Sequence, residues 1–143
     1  MHLSSSTLQL AASDLGRFLS CRHCTALDME VAQGLRPKPP VYPDPFLDLL
    51  IERGLAHEKE YVESISTSGD EVLDLGDLAF RSPTEAIDRT LTAMRKGVPA
   101  IAQGLLRVGE WSGIPDVLRR VETPSLFGPW SYEVFRSTPS GPS

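Results

Sequence analysis

Four residues of this chain have the type and setting to do chemistry: His57, Asp116, Cys21 and Cys24. His57 stands in Gly54-Leu55-Ala56-His57-Glu58-Lys59-Glu60-Tyr61, inside a stretch of helical periodicity. A neutral imidazole there can ligate a divalent metal or accept a proton, although a solvated or hydrogen-bonded helix histidine is the commoner use of such a position. Glu58, Glu60 and Glu63 around it read as a solvated face rather than as ligands. Asp116 stands in Trp111-Ser112-Gly113-Ile114-Pro115-Asp116-Val117-Leu118-Arg119-Arg120, read as the middle of an apolar and aromatic strand. A carboxylate in that setting is costly unless it is paired or bound to metal. Either a salt bridge to Arg107 or Arg120, or a place beside a histidine in the shell of Mg²⁺ or Mn²⁺, would meet the cost. Gly113 leaves room for a bulge next to it.

Cys21-Arg22-His23-Cys24 has a two-residue spacer that suits zinc, an iron–sulfur cluster or a redox dithiol. No second cysteine pair follows, so two ordinary thiols is the plainer reading. The G-x-x-x-x-G-K phosphate loop, the G-x-S-x-G nucleophile elbow and the H-E-x-x-H zinc helix are all absent from the sequence.

The elements that must position these residues come from a chain of 143 residues, 41% hydrophobic and 23% charged. That is ordinary for a globular domain with its own core. No apolar run reaches the roughly 18 residues of a membrane span. The first twelve residues lack a basic n-region, so a cytoplasmic location is expected. The net charge of −5 is unevenly spread. Residues 1–88 carry a net −8 and residues 89–143 a net +3. An all-over nucleic-acid coat is therefore excluded, whereas a basic face in the second part is not.

Ser13 before Asp14-Leu15-Gly16-Arg17-Phe18-Leu19 reads as a cap and a short helix. A second helix carries Ala26, Leu27, Val31 and Leu35, with Gly34 near its end. Pro37, Pro39, Pro40 and Pro43 make an extended loop, and Asp44-Pro45 caps a long helix through Phe46, Leu49, Leu50, Leu55, Tyr61, Val62 and Ile65. Ser66 to Asp70 ends that helix, and residues 71–75 form a short strand. Ser82-Pro83-Thr84-Glu85 opens a further helix that stops at Lys96-Gly97. Strands are then expected over 100–108 and 111–121 with a turn at Gly109-Glu110, and a third begins at Trp130. Residues 136–143 contain nothing that builds a core and are expected to be disordered. The expected class is α+β: helices first, then a three-stranded antiparallel meander. The expected divisions are an N-terminal segment 1–12, a domain 13–135 and a tail 136–143.

Taken in order, these pieces resemble the N-terminal part of RecB-like nucleases of the PD-(D/E)XK superfamily. The resemblance rests on Ser13-Asp14-Leu15-Gly16-Arg17-Phe18-Leu19-Ser20-Cys21-Arg22-His23, Arg53-Gly54-Leu55-Ala56-His57-Glu58, Trp111-Ser112-Gly113-Ile114-Pro115-Asp116 and Trp130-Ser131-Tyr132-Glu133-Val134. It implies a restriction-endonuclease-like α/β core, here incomplete, and a Mg²⁺- or Mn²⁺-dependent site that hydrolyses DNA. In that pattern His57 is the helix-borne metal ligand and Asp116 the strand-borne one. The metal would polarise a phosphate and activate a water. DNA is the implied partner, lying on the basic part; no membrane is implied, and a protein partner is left open.

The pattern's third motif continues Tyr-Glu-Val-x-Asp-x-Lys, but here Arg136 stands at the acid's place and Thr138 at the lysine's. Glu133 alternates to the opposite strand face and is a poor substitute. A following Gln-x-x-x-Tyr helix has no counterpart either. Some relatives hold an iron–sulfur cluster by one N-terminal and three C-terminal cysteines. Only Cys21 has a matching place, and Cys24 is not an expected ligand, so a cluster is not expected. The expectation is a truncated nuclease relative, inactive alone, cut short by premature termination or a change of frame. The alternative is a non-catalytic DNA- or protein-binding module on the same scaffold.

Overall fold

The computed structural model of the chain describes residues 1–135. In chain order its elements are β1 (His2–Ser4), β2 (Thr7–Gln9), α1 (Ala12–Ser20), α2 (Arg22–Ala32), α3 (Pro45–Thr67), β3 (Val72–Asp74) and α4 (Leu78–Arg81). They are followed by α5 (Pro83–Lys96), β4 (Ala100–Ala102), β5 (Leu106–Val108), β6 (Trp111–Gly113), β7 (Val117–Val121) and β8 (Ser131–Phe135). The chain divides into two compact units. The first joins Met1–Pro43 to Leu106–Gly113, and the second joins Asp44–Leu105 to the chain from Ile114 onward. Helices and sheet occur in one chain, as an α+β reading requires. No helix among the described residues is long and apolar enough to cross a membrane.

In the first unit β1 and β2 form an antiparallel hairpin, and so do β5 and β6. Leu10 bridges the two, its N–H donating to Glu110 O at 2.7 Å and its carbonyl accepting from Ser112 N–H at 2.8 Å. Helix α1 starts at Ala12, one residue before the expected Ser13 cap. Asp14 fixes that start by accepting from the Ala11 N–H at 2.8 Å, which satisfies an otherwise orphaned backbone donor. Arg17 of α1 and Asp28 of α2 pair at 2.5 Å. Helix α2 closes on a left-handed Gly34, with Leu35 N–H donating to Glu30 O and Gly34 N–H to Val31 O.

The second unit holds a four-stranded sheet ordered β3-β4-β7-β8. The expected three-stranded meander is corrected here in two ways. First, β3 lies parallel to β4, while β4–β7 and β7–β8 are antiparallel. A parallel pair needs a crossover, and the chain supplies one through α4 and α5. Second, both long strands are cut. The one expected over 100–108 breaks where Gln103 takes a left-handed φ of 56°. The one expected over 111–121 breaks at Ile114 to Asp116, where Pro115 offers no N–H to a ladder. The excursion between the breaks is the β5–β6 hairpin, with its turn at Gly109-Glu110 as expected.

Helix α3 runs the full expected length. Asp44 caps it by accepting from the N–H groups of Phe46 and Leu47, both at 3.1 Å, and Pro45 occupies its first turn. Its second half covers the sheet: Ile65 packs with Ala100 and Val117, flanked by Tyr61, Val62 and Val72. Helix α5 starts on Pro83 and ends at Gly97, whose φ is 75°. The tail expected over 136–143 lies outside the described residues.

Candidate functional site

The last rung of the four-stranded sheet pairs Asp74 with Ala102, Ala102 with Val117, and Val117 with Phe135. Beyond it, Gln103 follows Ala102 and Asp116 precedes Val117. The Gln103 N–H donates to the Asp116 carbonyl at 3.2 Å, so the two stay joined after the ladder ends. The Gln103 side-chain amide donates to the Glu58 carboxylate of α3. On that helix Tyr61 stacks on Phe135 with centroids 5.0 Å apart. His57 lies one helical turn before Tyr61 on the same row, and Glu58 one turn before Val62. The fold thus brings the His57–Glu58 turn and Asp116 to one end of one sheet. Gln103 connects them.

Asp116 sits at a bend just before β7, not in mid-strand, because Pro115 has already ended the ladder. It is half-buried, and among the described residues its carboxylate has neither a hydrogen bond nor an ion pair. The expected partners are engaged elsewhere or belong to the other unit. Arg120 bonds Gly97 O and Glu122, and Arg107 is part of the β5–β6 hairpin. His57 is half-buried on α3. Glu60 and Glu63 are exposed, as expected of a solvated face, but Glu58 is half-buried and bonded.

Beside Glu58 a cavity of about 440 Å³ opens between α3 and the turn after β3. Glu58, Glu63, Asp74 and Asp77 give it acidic walls, Lys59 is its cation, and Leu55, Val62 and Phe80 supply apolar surface. Neither His57 nor Asp116 lines it. Gln103 and Glu58 were not predicted as site residues. Glu58 had one available signal, adjacency to His57 on the turn that leads into the buried helix face. Gln103 had none, because its place depends on a backbone reversal between two strands.

The donor set decides how far a metal reading extends. Among the described residues no three His, Cys, Asp or Glu side chains converge as a metal-binding group. A hard cation such as Mg²⁺ requires an octahedral, oxygen-rich shell. One imidazole and one carboxylate do not complete it, so the described residues do not fit a catalytic Mg²⁺ or Mn²⁺. Several basic groups of the second half are also spoken for: Arg89 pairs with Glu85, Arg119 with Asp70 and Arg120 with Glu122. Positions 136 and 138, where the third motif would continue, lie outside the described residues.

Cys21 and Cys24 are both free thiols in the first unit, half-exposed, at the start of α2. The Cys21 sulfur accepts from the Cys24 N–H at 3.2 Å. Hydrogen bonding from the Cys24 thiol, then from its N–H, holds the Cys21 pKa below the usual thiol value. The same contact raises that of Cys24, which donates its proton to the pair, and partial desolvation adds to the rise.

Compared with known proteins, the chain matches no family model, no curated protein and no solved structure.

Proposed function

We propose that the second unit is a truncated RecB-like, metal-dependent DNA nuclease scaffold with an incomplete metal site, so that the chain alone does not hydrolyse DNA. His57 and Asp116 hold the two metal-ligand positions that the resemblance supplies, and by themselves they do not complete a Mg²⁺ or Mn²⁺ shell. The observation that carries this reading is the arrival of the His57–Glu58 turn and Asp116 at one sheet end, joined by Gln103. Arg136 and Thr138 stand where the resemblance places an acid and a lysine, which deprives a cation of a ligand and a water of its activating base.

Incubation with single- and double-stranded DNA and Mn²⁺ tests the reading. The unaltered chain is expected to leave both intact. Cleavage by the unaltered chain would overturn the inactivity, and cleavage that then survives both His57→Ala and Asp116→Ala would reject the ligand assignment as well. Arg136→Asp returns the acid that the resemblance's third motif carries, and Mn²⁺ affinity, read by calorimetry, is expected to rise about tenfold or more, ~1.4 kcal/mol, on this reading.

Among the described residues no third donor converges, which leaves room for a second reading, a non-catalytic DNA- or protein-binding module on this scaffold. It calls for DNA binding that survives a chelator and weakens with salt. Arg95 and Lys96, exposed in the last turn of α5, are the basic groups to neutralise first. Binding abolished by chelator would exclude this second reading.

A further inference from the structure

We propose that Cys21 and Cys24 form a redox-active dithiol that exchanges reversibly with disulfides, independently of any nuclease scaffold in the second unit. The pair is assembled by one helix start. Cys21 is the N-cap of α2, an eleven-residue helix, and its sulfur folds over the first turn to accept from the Cys24 N–H at 3.2 Å. Residues three apart on a helix have β-carbons about 5–6 Å apart, so closing a disulfide, which needs roughly 3.5–4.5 Å, draws the first turn of α2 inward. The first turn of α2 contains no acid, so within that helix no carboxylate offsets the positive end of the dipole at Cys21, which is at the same time the C-cap of α1.

The surroundings assign different roles to the two sulfurs. Arg17 of α1 favours the thiolate of either cysteine, whereas the Cys24 N–H bonds the Cys21 sulfur alone. Asp28 acts the other way, on Cys24, and its charge is shared in an ion pair with Arg17. Cys21 is therefore the nucleophile and Cys24 the resolving thiol. Both are partly open to solvent, as an exchange partner requires.

The oxidant is a disulfide, of which glutathione disulfide is the probe. The Cys21 thiolate attacks one sulfur of the probe, forming a mixed disulfide as the probe's S–S bond breaks. The departing thiolate leaves with the electron pair and takes up the proton released by Cys24. The Cys24 sulfur then attacks Cys21 Sγ, the mixed S–S bond breaks, and a second thiolate leaves and is protonated from water. Two protein thiols lose two electrons and two protons, and one disulfide becomes two thiols.

The test uses the full chain, Cys21→Ser and Cys24→Ser. Serine at 21 keeps an acceptor for the Cys24 N–H and serine at 24 keeps a donor to Cys21, so α2 should remain folded in both; far-UV circular dichroism checks this. With glutathione disulfide the unaltered chain is expected to lose two hydrogen masses and to yield one Cys21–Cys24 cross-linked peptide, reversed by dithiothreitol. Cys24→Ser should trap a mixed disulfide on Cys21 and react with iodoacetamide at neutral pH at least about tenfold faster than Cys21→Ser. Equal slow alkylation of the two variants would overturn the proposal. So would glutathione on both thiols of the unaltered chain without ring closure, or stoichiometric zinc or iron on the purified protein blocking alkylation.

Discussion

Three side chains from β7, β8 and the residue before β8 finish α5. Trp130 Nε1–H donates to Met94 O at 2.9 Å, Arg120 to Gly97 O at 3.0 Å and the Tyr132 hydroxyl to Val98 O at 2.7 Å. These carbonyls lie at a helix end, where intrahelical donors run out. The Arg120 guanidinium also lies 4.8 Å from the Trp130 ring centroid and places positive charge at the negative pole of the helix. Burial pushes the Tyr132 pKa above its usual 10.0, while Arg120 opposes the shift in part. The unfolded chain therefore loses this proton at lower pH than the folded one. Tyr132 contributes fully below pH 10.0, and its contribution is lost as pH rises from there through the folded value. Tyr132→Phe is expected to cost about 1 kcal/mol at neutral pH and to flatten stability against pH on the alkaline side. Urea unfolding at neutral and strongly alkaline pH measures both effects, and an unchanged alkaline slope in the variant would count against this account. Trp130 to Phe135 is legible as strand from its residues alone. That an arginine should reach a helix end 23 residues earlier is not, because the pairing is made by the sheet.

At the scale of elements, local chemistry was readable and long-range pairing was not. Asp44-Pro45 and Gly97 mark helix ends because caps and left-handed closures depend on a few adjacent residues. The β1–β2 hairpin escaped notice because its turn uses Ser5 and Ser6 at φ 49° and 68°, where Asn or Gly would have announced it. The parallel β3–β4 pair and the break after Ala102 were hidden for a different reason: both depend on how α5 meets the sheet. Thr90 is wholly buried on α5, donates to Ala86 O at 2.7 Å and accepts from the Leu105 N–H at 3.1 Å. Gly104 lets that approach happen, since a β-carbon there would come within 3.0 Å of Thr90 Cγ2. Gly104→Ala is accordingly expected to destabilise by about 1–3 kcal/mol through overpacking. Thr90→Val keeps the shape but strands the Leu105 N–H, at a similar cost of roughly 1–3 kcal/mol. Chemical denaturation of both variants checks this, and a neutral Thr90→Val would show that the hydroxyl carries no weight. The same junction places Gln103, whereas His57 is placed by its own helix and Asp116 by the proline beside it.

Across the whole molecule, burial is divided as unevenly as charge. Ile65, Leu75, Leu78, Ala79, Ala86, Ala93, Met94, Ala100, Ile101, Ala102, Leu105, Val117 and Leu118 make up the buried hydrophobic core, and all belong to the second unit. In the first unit the buried residue is Gln9, a polar one. Its helices α1 and α2 bury no residue fully, leaving Leu15, Leu19 and Met29 exposed. A unit without fully buried apolar side chains has little hydrophobic free energy to offset chain entropy, so it should open separately and at lower cost than the sheet. Hydrogen exchange is expected to show amides of α1, α2 and the β5–β6 hairpin exchanging at least about a hundredfold faster than those of β4, β7 and the second half of α3. Urea unfolding followed by circular dichroism and by tryptophan fluorescence should then give non-coincident transitions, because Trp111 lies in the first unit and Trp130 in the second. Uniform protection across both units, with a single coincident transition, would mean that the first unit draws its stability from something other than its own core.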